Sequence, residues 1–140
     1  MSAPLIIIGT GLAGYNLVKE FRKHDQERAI VMLTSDDGRQ YSKPMLSTGF
    51  SKGKDADGLA MNDAGAMAET LKIEIRTFQQ VSKIDAKLKK VYVQDDELEY
   101  SDLVLALGAE PIALQMPGSE HLMHVNDLMD YHVFHQALQT

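Results

Sequence analysis

Three glycines, Gly9, Gly11 and Gly14, stand in the spacing G-x-G-x-x-G within LIIIGTGLAGYNLVKEF. Glycine is common, so the spacing alone is weak. A strand before it and a helix after it, within one β-α-β unit, give it meaning. The three glycines then serve separate purposes. Gly9 permits a tight turn, Gly11 lets the backbone approach a pyrophosphate, and Gly14 lets the helix pack on the strand. The helix N-terminus adds unpaired N–H groups and a partial positive charge, which suit phosphate. The chemistry implied is adenine dinucleotide binding.

That fingerprint also asks for an acid at the end of the second strand, about 20 residues past the glycines, to bond a ribose hydroxyl. Thr34 and Ser35 stand there instead, and the first acids are Asp36 and Asp37. Either Thr34 or Ser35 bonds the ribose directly, or an aspartate reaches back. No arginine sits at the strand end to suggest a 2′-phosphate, although Arg39 follows closely. The glycines therefore do not choose FAD over NAD.

The elements that must position these residues are legible as apolar patterns. Pro4–Ile8 is continuous and isoleucine-rich, the mark of a short buried strand. From Leu12 to His24 the pattern turns helical, with Leu17, Val18 and Phe21 on one stripe and Lys19, Glu20, Arg22 and Lys23 facing water. Ala29–Leu33 is the next buried strand, so the unit is β-α-β with two parallel strands and a right-handed crossover. Ser35–Asp57 has no sustained period and is long for a structureless connection, which makes it a candidate for function. A helix is expected over Ala64–Leu71, capped by Asn62 or Asp63, and a strand over Ile73–Thr77. Val81–Asp85, Lys90–Gln94 and Leu98–Tyr100 spell an antiparallel meander, and Leu103–Leu107 is another apolar strand, closed by Gly108. The tail carries the turn Met116-Pro117-Gly118 and a helix from Asn126 or Asp127 onward.

Composition excludes several classes. The net charge is −6, without a lysine or arginine block, so a nucleic-acid surface is not expected. The longest apolar run is too short to span a bilayer and lacks the flanks of a signal peptide, which by default implies a cytoplasmic address. Cysteine is absent, so disulfides, thiolate metal ligation and a thiol nucleophile are excluded on these residues. Redox chemistry here must belong to a bound cofactor.

Three further features favour FAD. The loop Arg39-Gln40-Tyr41-Ser42-Lys43-Pro44-Met45-Leu46-Ser47 places a lysine before a proline, which is expected to hold Lys43 extended as a cation for an electron-rich ring; an ordinary surface loop is the competing reading. The meander precedes the last parallel strand. The run from Asp102 through Gly108 to Pro111 ends an apolar strand in a small-residue turn on the nucleotide side. GTGLAGYNL, TSDDGRQYSKPMLSTGFSKGKDADGLA and LVLALGAEP, in that order across nearly the whole chain, resemble the FAD-dependent pyridine nucleotide oxidoreductases. The likeness is strongest to the branch that takes hydride from NADH and passes electrons singly to rubredoxin.

The resemblance implies a three-layer α/β, Rossmann-like FAD/NAD(P)-binding domain with a parallel sheet and a small antiparallel meander, and FAD as cofactor. Thr10, Gly11, Leu12 and Ala13, with Gly9 and Gly14, would line the pyrophosphate. Thr34 and Ser35 would meet the adenosine ribose, Lys43 and Pro44 the flavin, Val81 the adenine end through its backbone, and Gly108 the turn after the last strand. No side chain is assigned a catalytic role. The family's FAD domain is interrupted by an NADH domain and completed later, and neither a second glycine motif nor a late Gly-Asp segment is present. Residues 1–112 are accordingly read as the N-terminal segment of an incomplete FAD domain. Residues 113–140 are read as a linker and first helix leading toward an NADH domain. An uncovered sheet edge would invite self-association. The alternatives are a non-catalytic fragment that holds FAD weakly, and an NAD-binding module of another protein.

Other constellations carry less. His121/His124 and His132/His135 form H-x-x-H pairs, the second on one helical face, but no carboxylate points at them and no metal site is expected. Asp55, Asp57 and Asp63 lack a calcium-loop spacing, and Ser47 lacks the setting of a hydrolase nucleophile.

Overall fold

The computed structural model of the chain describes residues 3–139. In chain order the elements are β1 (Leu5–Ile8), α1 (Leu12–His24), β2 (Ile30–Leu33), β3 (Gln40–Tyr41), 3-10 turns at Lys43–Ser47 and Phe50–Lys52, α2 (Ala56–Leu59), β4 (Ala60–Asn62), α3 (Ala64–Leu71), β5 (Glu74–Arg76), β6 (Val81–Asp85), β7 (Lys90–Val93), β8 (Asp96–Glu99), β9 (Asp102–Leu105), a 3-10 turn at Ser119–His121 and α4 (Leu128–Ala137). Two compact units result: Met1–Gln40 with Asn62–Gly108, and Tyr41–Met61 with Ala109–Thr140.

The first unit is built on a parallel sheet of order β5-β2-β1-β9. Successive side chains on a strand point to opposite faces, and both faces of β1 and β2 are apolar. Leu5, Ile7, Ile30 and Met32 pack with Tyr15 and Val18 of α1 and with Met67 and Leu71 of α3. Ile6, Ile8, Val31 and Leu33 pack with Val91, Val93 and Tyr100, under the antiparallel meander β6-β7-β8. Helices on one face and a meander on the other make three layers. A one-residue slip of β1 would exchange the two sets of side chains, so the register Ile6↔Val31 and Ile6↔Leu103 is held from both sides.

One arginine closes the far end of this unit. Arg22, in the last turn of α1, donates from Nε to the Leu71 carbonyl at 2.8 Å and from Nη1 to that of Asp25 at 3.1 Å. Its Nη2 donates to the carbonyls of Arg28 and Lys72, both at 2.9 Å. Leu71 ends α3 and Lys72 caps it in a left-handed conformation, φ 52°. The guanidinium therefore sits where two helix C-termini concentrate negative charge and unpaired carbonyls. Arg22→Ala is expected to lower stability by about 2–3 kcal/mol, since bonds to a charged donor are lost and the carbonyls are stranded. Urea denaturation measures it, and a change below about 0.5 kcal/mol, the level of an ordinary surface residue, sinks the argument.

The second unit has its own core of Leu46, Ala56, Leu59, Leu128 and Tyr131. Tyr131 donates from Oη to the Lys54 carbonyl at 2.6 Å. Asp55 caps α2 through the Gly58 N–H and Asp127 caps α4 through the Asp130 N–H. A Cβ on Gly49 would lie 2.7 Å from Leu59 Cδ1 and 2.9 Å from Tyr131 Oη, so a side chain there would require those side-chain ends to shift. His135 lies against the rings of Phe50 and Tyr131.

Two expectations need correction. Ser35–Asp57 is not structureless: it holds β3, two 3-10 turns and the first residues of α2. Lys43 is not in an extended segment but is the first residue of the turn Lys43–Ser47, and the extended residue is Ser42, φ −96° and ψ 111°. Proline in the first turn explains it, because its fixed φ suits a helix start and the N–H it lacks has no partner there anyway.

Candidate nucleotide-binding site

In the first unit, β1 ends at Ile8 and the chain turns at Gly9, whose N–H bonds the Leu33 carbonyl at 2.8 Å. Gly9 has φ +111°, and a Cβ there would run into the backbone carbonyl of Ala106. Gly14, in the first turn of α1, is closed as well: its Cβ would strike the Gly9 carbonyl and come within 3.1 Å of Met32 Cε. Gly11 is different. It is the N-cap of α1 with φ −67° and ψ −172°, no side chain caps the helix, and the first turn carries no acid. A Cβ on Gly11 would meet nothing within 4 Å.

The turn is thus closed by protein at Gly9 and Gly14 and open at Gly11. The first turn of a helix has N–H groups without intrahelical partners, and α1 presents them uncapped at the open point. Leu12 and Ala13 are exposed there. The residues present fit a dinucleotide pyrophosphate, which would supply the missing acceptors and the negative charge that a helix N-terminus favours.

At the end of β2 one carboxylate organises the next segment. Asp36 Oδ1 accepts from Thr34 Oγ1 at 2.6 Å, from the Gly38 N–H at 2.9 Å and from Thr10 Oγ1 at 3.4 Å. An aspartate does reach back, and what it reaches is protein. Thr10 and Thr34 are buried, 4% and 7% exposed, with their hydroxyls turned to Asp36, whereas Ser35 is exposed. Tyr15 of α1 donates from its buried Oη to the Gly38 carbonyl. Burial first, then the carboxylates of Asp36, Asp37 and Asp63, push that phenol well above its ordinary pKa.

Val81 opens β6, an edge strand of the meander, with its side chain against the second core face. An edge strand keeps one row of backbone polar groups free for a ligand. Gly108 follows β9 with φ +69° and open space around its Cα. In the second unit, Lys43, Pro44, Leu46, Ser47 and Val125 line a cavity of about 530 Å³. Val125 carried no signal in the sequence, being a valine in an irregular stretch far along the chain from Lys43.

Residues 3–140 match the family described as pyridine nucleotide-disulphide oxidoreductase. The chain belongs to that family. A rubredoxin-NAD(+) reductase of Alcanivorax borkumensis is 55% identical over 138 residues, which cover 97% of this chain and 36% of the relative. A rubredoxin-NAD(+) reductase of Acinetobacter baylyi is 38% identical over 141 residues, 96% of this chain and 36% of the relative. The chain therefore spans about a third of the length of these relatives. Among solved structures, a ferredoxin reductase from Rhodopseudomonas palustris superposes on 99% of this chain and 35% of its own, with a TM-score of 0.85 and 22% identity, a likeness of fold. Putidaredoxin reductase, solved in a covalent complex with putidaredoxin, gives a TM-score of 0.70 and 29% identity over 80% of this chain and 27% of its own.

The family's description names pyridine nucleotide, and the fold shared with the ferredoxin reductase is the α/β arrangement described above, with a parallel sheet and a small antiparallel meander. Although the family description names disulphides, this chain contains no cysteine. No helix among the described residues is long and apolar enough to cross a membrane.

Proposed function

We propose that the chain is the FAD-binding portion of an NADH-dependent flavoprotein reductase that passes electrons to rubredoxin. The observation that carries the reading is the uncapped start of α1, open at Gly11 and walled by backbone at Gly9 and Gly14. The 55% identity to a rubredoxin-NAD(+) reductase supports the choice of flavin and acceptor. In this reading Thr10, Gly11, Leu12 and Ala13 line the pyrophosphate with backbone groups, because the Thr10 hydroxyl is turned to Asp36. Ser35, with Thr34, faces the adenosine ribose, and the backbone of Val81 meets the adenine. Lys43 and Pro44 border the flavin, where a lysine ammonium favours added electron density on the ring.

When bound, FAD would supply the redox chemistry, namely hydride acceptance and one-electron release. The chain's residues bind it and orient it. The visible spectrum of the purified 140-residue chain tests the reading. A flavin band that survives gel filtration after addition of FAD is the expected result, and a colourless protein whose added FAD stays fully fluorescent refutes it. Hydride donation and rubredoxin reduction call on more than the third of the relatives' length spanned here, so this chain alone is expected to give no turnover with NADH and rubredoxin.

A further inference from the structure

Of the chain's four phenylalanines, three pack. Phe21 lies against the first core face, Phe134 against the core of the second unit, and Phe50 meets Phe134 edge-on with ring centroids 6.2 Å apart. Phe78 joins none of the cores and is 58% exposed. Its backbone also lies in the left-handed region, φ 55°. Glycine enters that region freely, whereas an aromatic residue does so under strain. The other non-glycine residues found there among the described residues are Lys72, which caps α3, and Lys89 and Gln94, in the β6–β7 and β7–β8 turns. Hydrogen bonds hold Phe78 on every side. Its N–H donates to the Asp36 carbonyl at 2.9 Å, its carbonyl accepts from Gln94 Nε2 at 3.3 Å, and the Gln79 N–H donates to the Thr34 carbonyl at 2.8 Å. Strain of this kind persists only where the surroundings over-determine it, and it collects at ligand sites.

We infer that the Phe78 ring is a stacking face for the adenine of the bound dinucleotide. The inference rests on the proposal that residues 34–35 face the adenosine ribose and that the Val81 backbone meets the base. It holds whether the dinucleotide is FAD or NAD. Phe78 stands between those two groups. Its own peptide is bonded to Asp36 and that of Gln79 to Thr34, on the ribose side, and Val81 follows three residues on, at the start of β6. Backbone groups at Val81 can read the edge of a base but offer it no face. An aromatic ring does, because every base has a π-face and stacking removes apolar surface on both partners from water. The strain at Phe78 then has a use: hydrogen bonds fix the backbone that carries the ring before the ligand arrives. A glycine at this position would form the turn more easily and leave the base without its platform.

The chain contains no tryptophan, so F78W in the full 140-residue chain places a single indole at the proposed face and reports the contact without any turnover. At concentrations of 5′-ADP that displace FAD, the emission of F78W is expected to be strongly quenched. Inorganic pyrophosphate, which has no base, should leave it unchanged. Quenching by both probes alike, or by neither, overturns the inference. Two further variants measure what the ring contributes. FAD affinity, from fluorescence titration, should fall about tenfold in F78G, within the range for loss of one base–aromatic stack. The thermal transition of F78G should stay at or above that of the unaltered chain, since glycine takes this conformation freely; a clear fall would assign the ring to the fold and is equally fatal. F78L keeps a side chain on the strained backbone but removes the π-face, and it should lose FAD affinity as well. If the unaltered chain binds FAD and both variants bind it equally well, the inference alone fails. A chain that binds neither FAD nor 5′-ADP defeats the proposed function with it, so the two failures are told apart.

Discussion

Gly14→Ala is expected to cost this chain about 3 kcal/mol or more, a large part of the 5–15 kcal/mol that holds a typical domain together. The methyl group would enter the space of the Gly9 carbonyl. Met32 Cε, also in the way, is the end of a flexible side chain and can yield. The carbonyl cannot, because Gly9 is held by its N–H on Leu33 and by its close approach to Ala106. The remaining escape is for α1 to lift from β1, which would draw Tyr15 and Val18 out of the first core face. Urea denaturation followed by circular dichroism measures the cost. A loss under about 1 kcal/mol would mean that α1 slides freely on the sheet, against the packing described.

Gly11→Ala, three residues away, is expected to behave in the opposite way. Its φ of −67° is open to any residue and its Cβ would meet nothing, so stability should change by less than about 1 kcal/mol, the usual span of an N-cap preference. FAD affinity should fall about 100-fold, close to 3 kcal/mol, because the methyl takes the volume through which the pyrophosphate reaches the backbone. Fluorescence titration of FAD against the variant gives the number. Affinity equal to that of the unaltered chain would show that the ligand does not approach at Gly11. Two glycines of one motif are thereby separated, one needed by the fold and one by the ligand.

Much of the first unit was legible because its elements are long or strongly patterned. Leu5–Ile8 and Ile30–Leu33 are uninterrupted apolar runs buried on both faces, and α1 spans Leu12–His24 as its stripe implied. The caps were legible to within one residue: Asn62 or Asp63 and Asn126 or Asp127 were the candidates, and Asp63 and Asp127 are the residues that bond the helices they precede. The Tyr41–Met61 segment was not. Its turns and helix run for three to five residues, fewer than two helical turns, so no 3.6-residue period can show. Its core is completed by Leu128 and Tyr131 from the far end of the chain.

The site divides along the same line. The glycines announce themselves by type and spacing. Asp36 does not, because the bonds it accepts run back to Thr10 across the sheet end, and spacing along the chain does not register that proximity. Its two-residue offset looked like a missing acid. The structure shows an acid present and turned inward.

The parallel order of the central sheet also dictates when the nucleotide turn can exist. β1 is flanked by β2 and β9, and the Ala106 backbone that walls Gly9 belongs to the last stretch of this unit to be synthesised. The glycine loop leaves the ribosome first, yet its rear wall leaves last. Parallel pairing between such distant segments is slow to form. A growing polypeptide that has not yet extended past Leu107 carries the whole G-x-G-x-x-G motif but lacks the Ala106 backbone behind Gly9, so the turn is walled on that side only after β9 has been made.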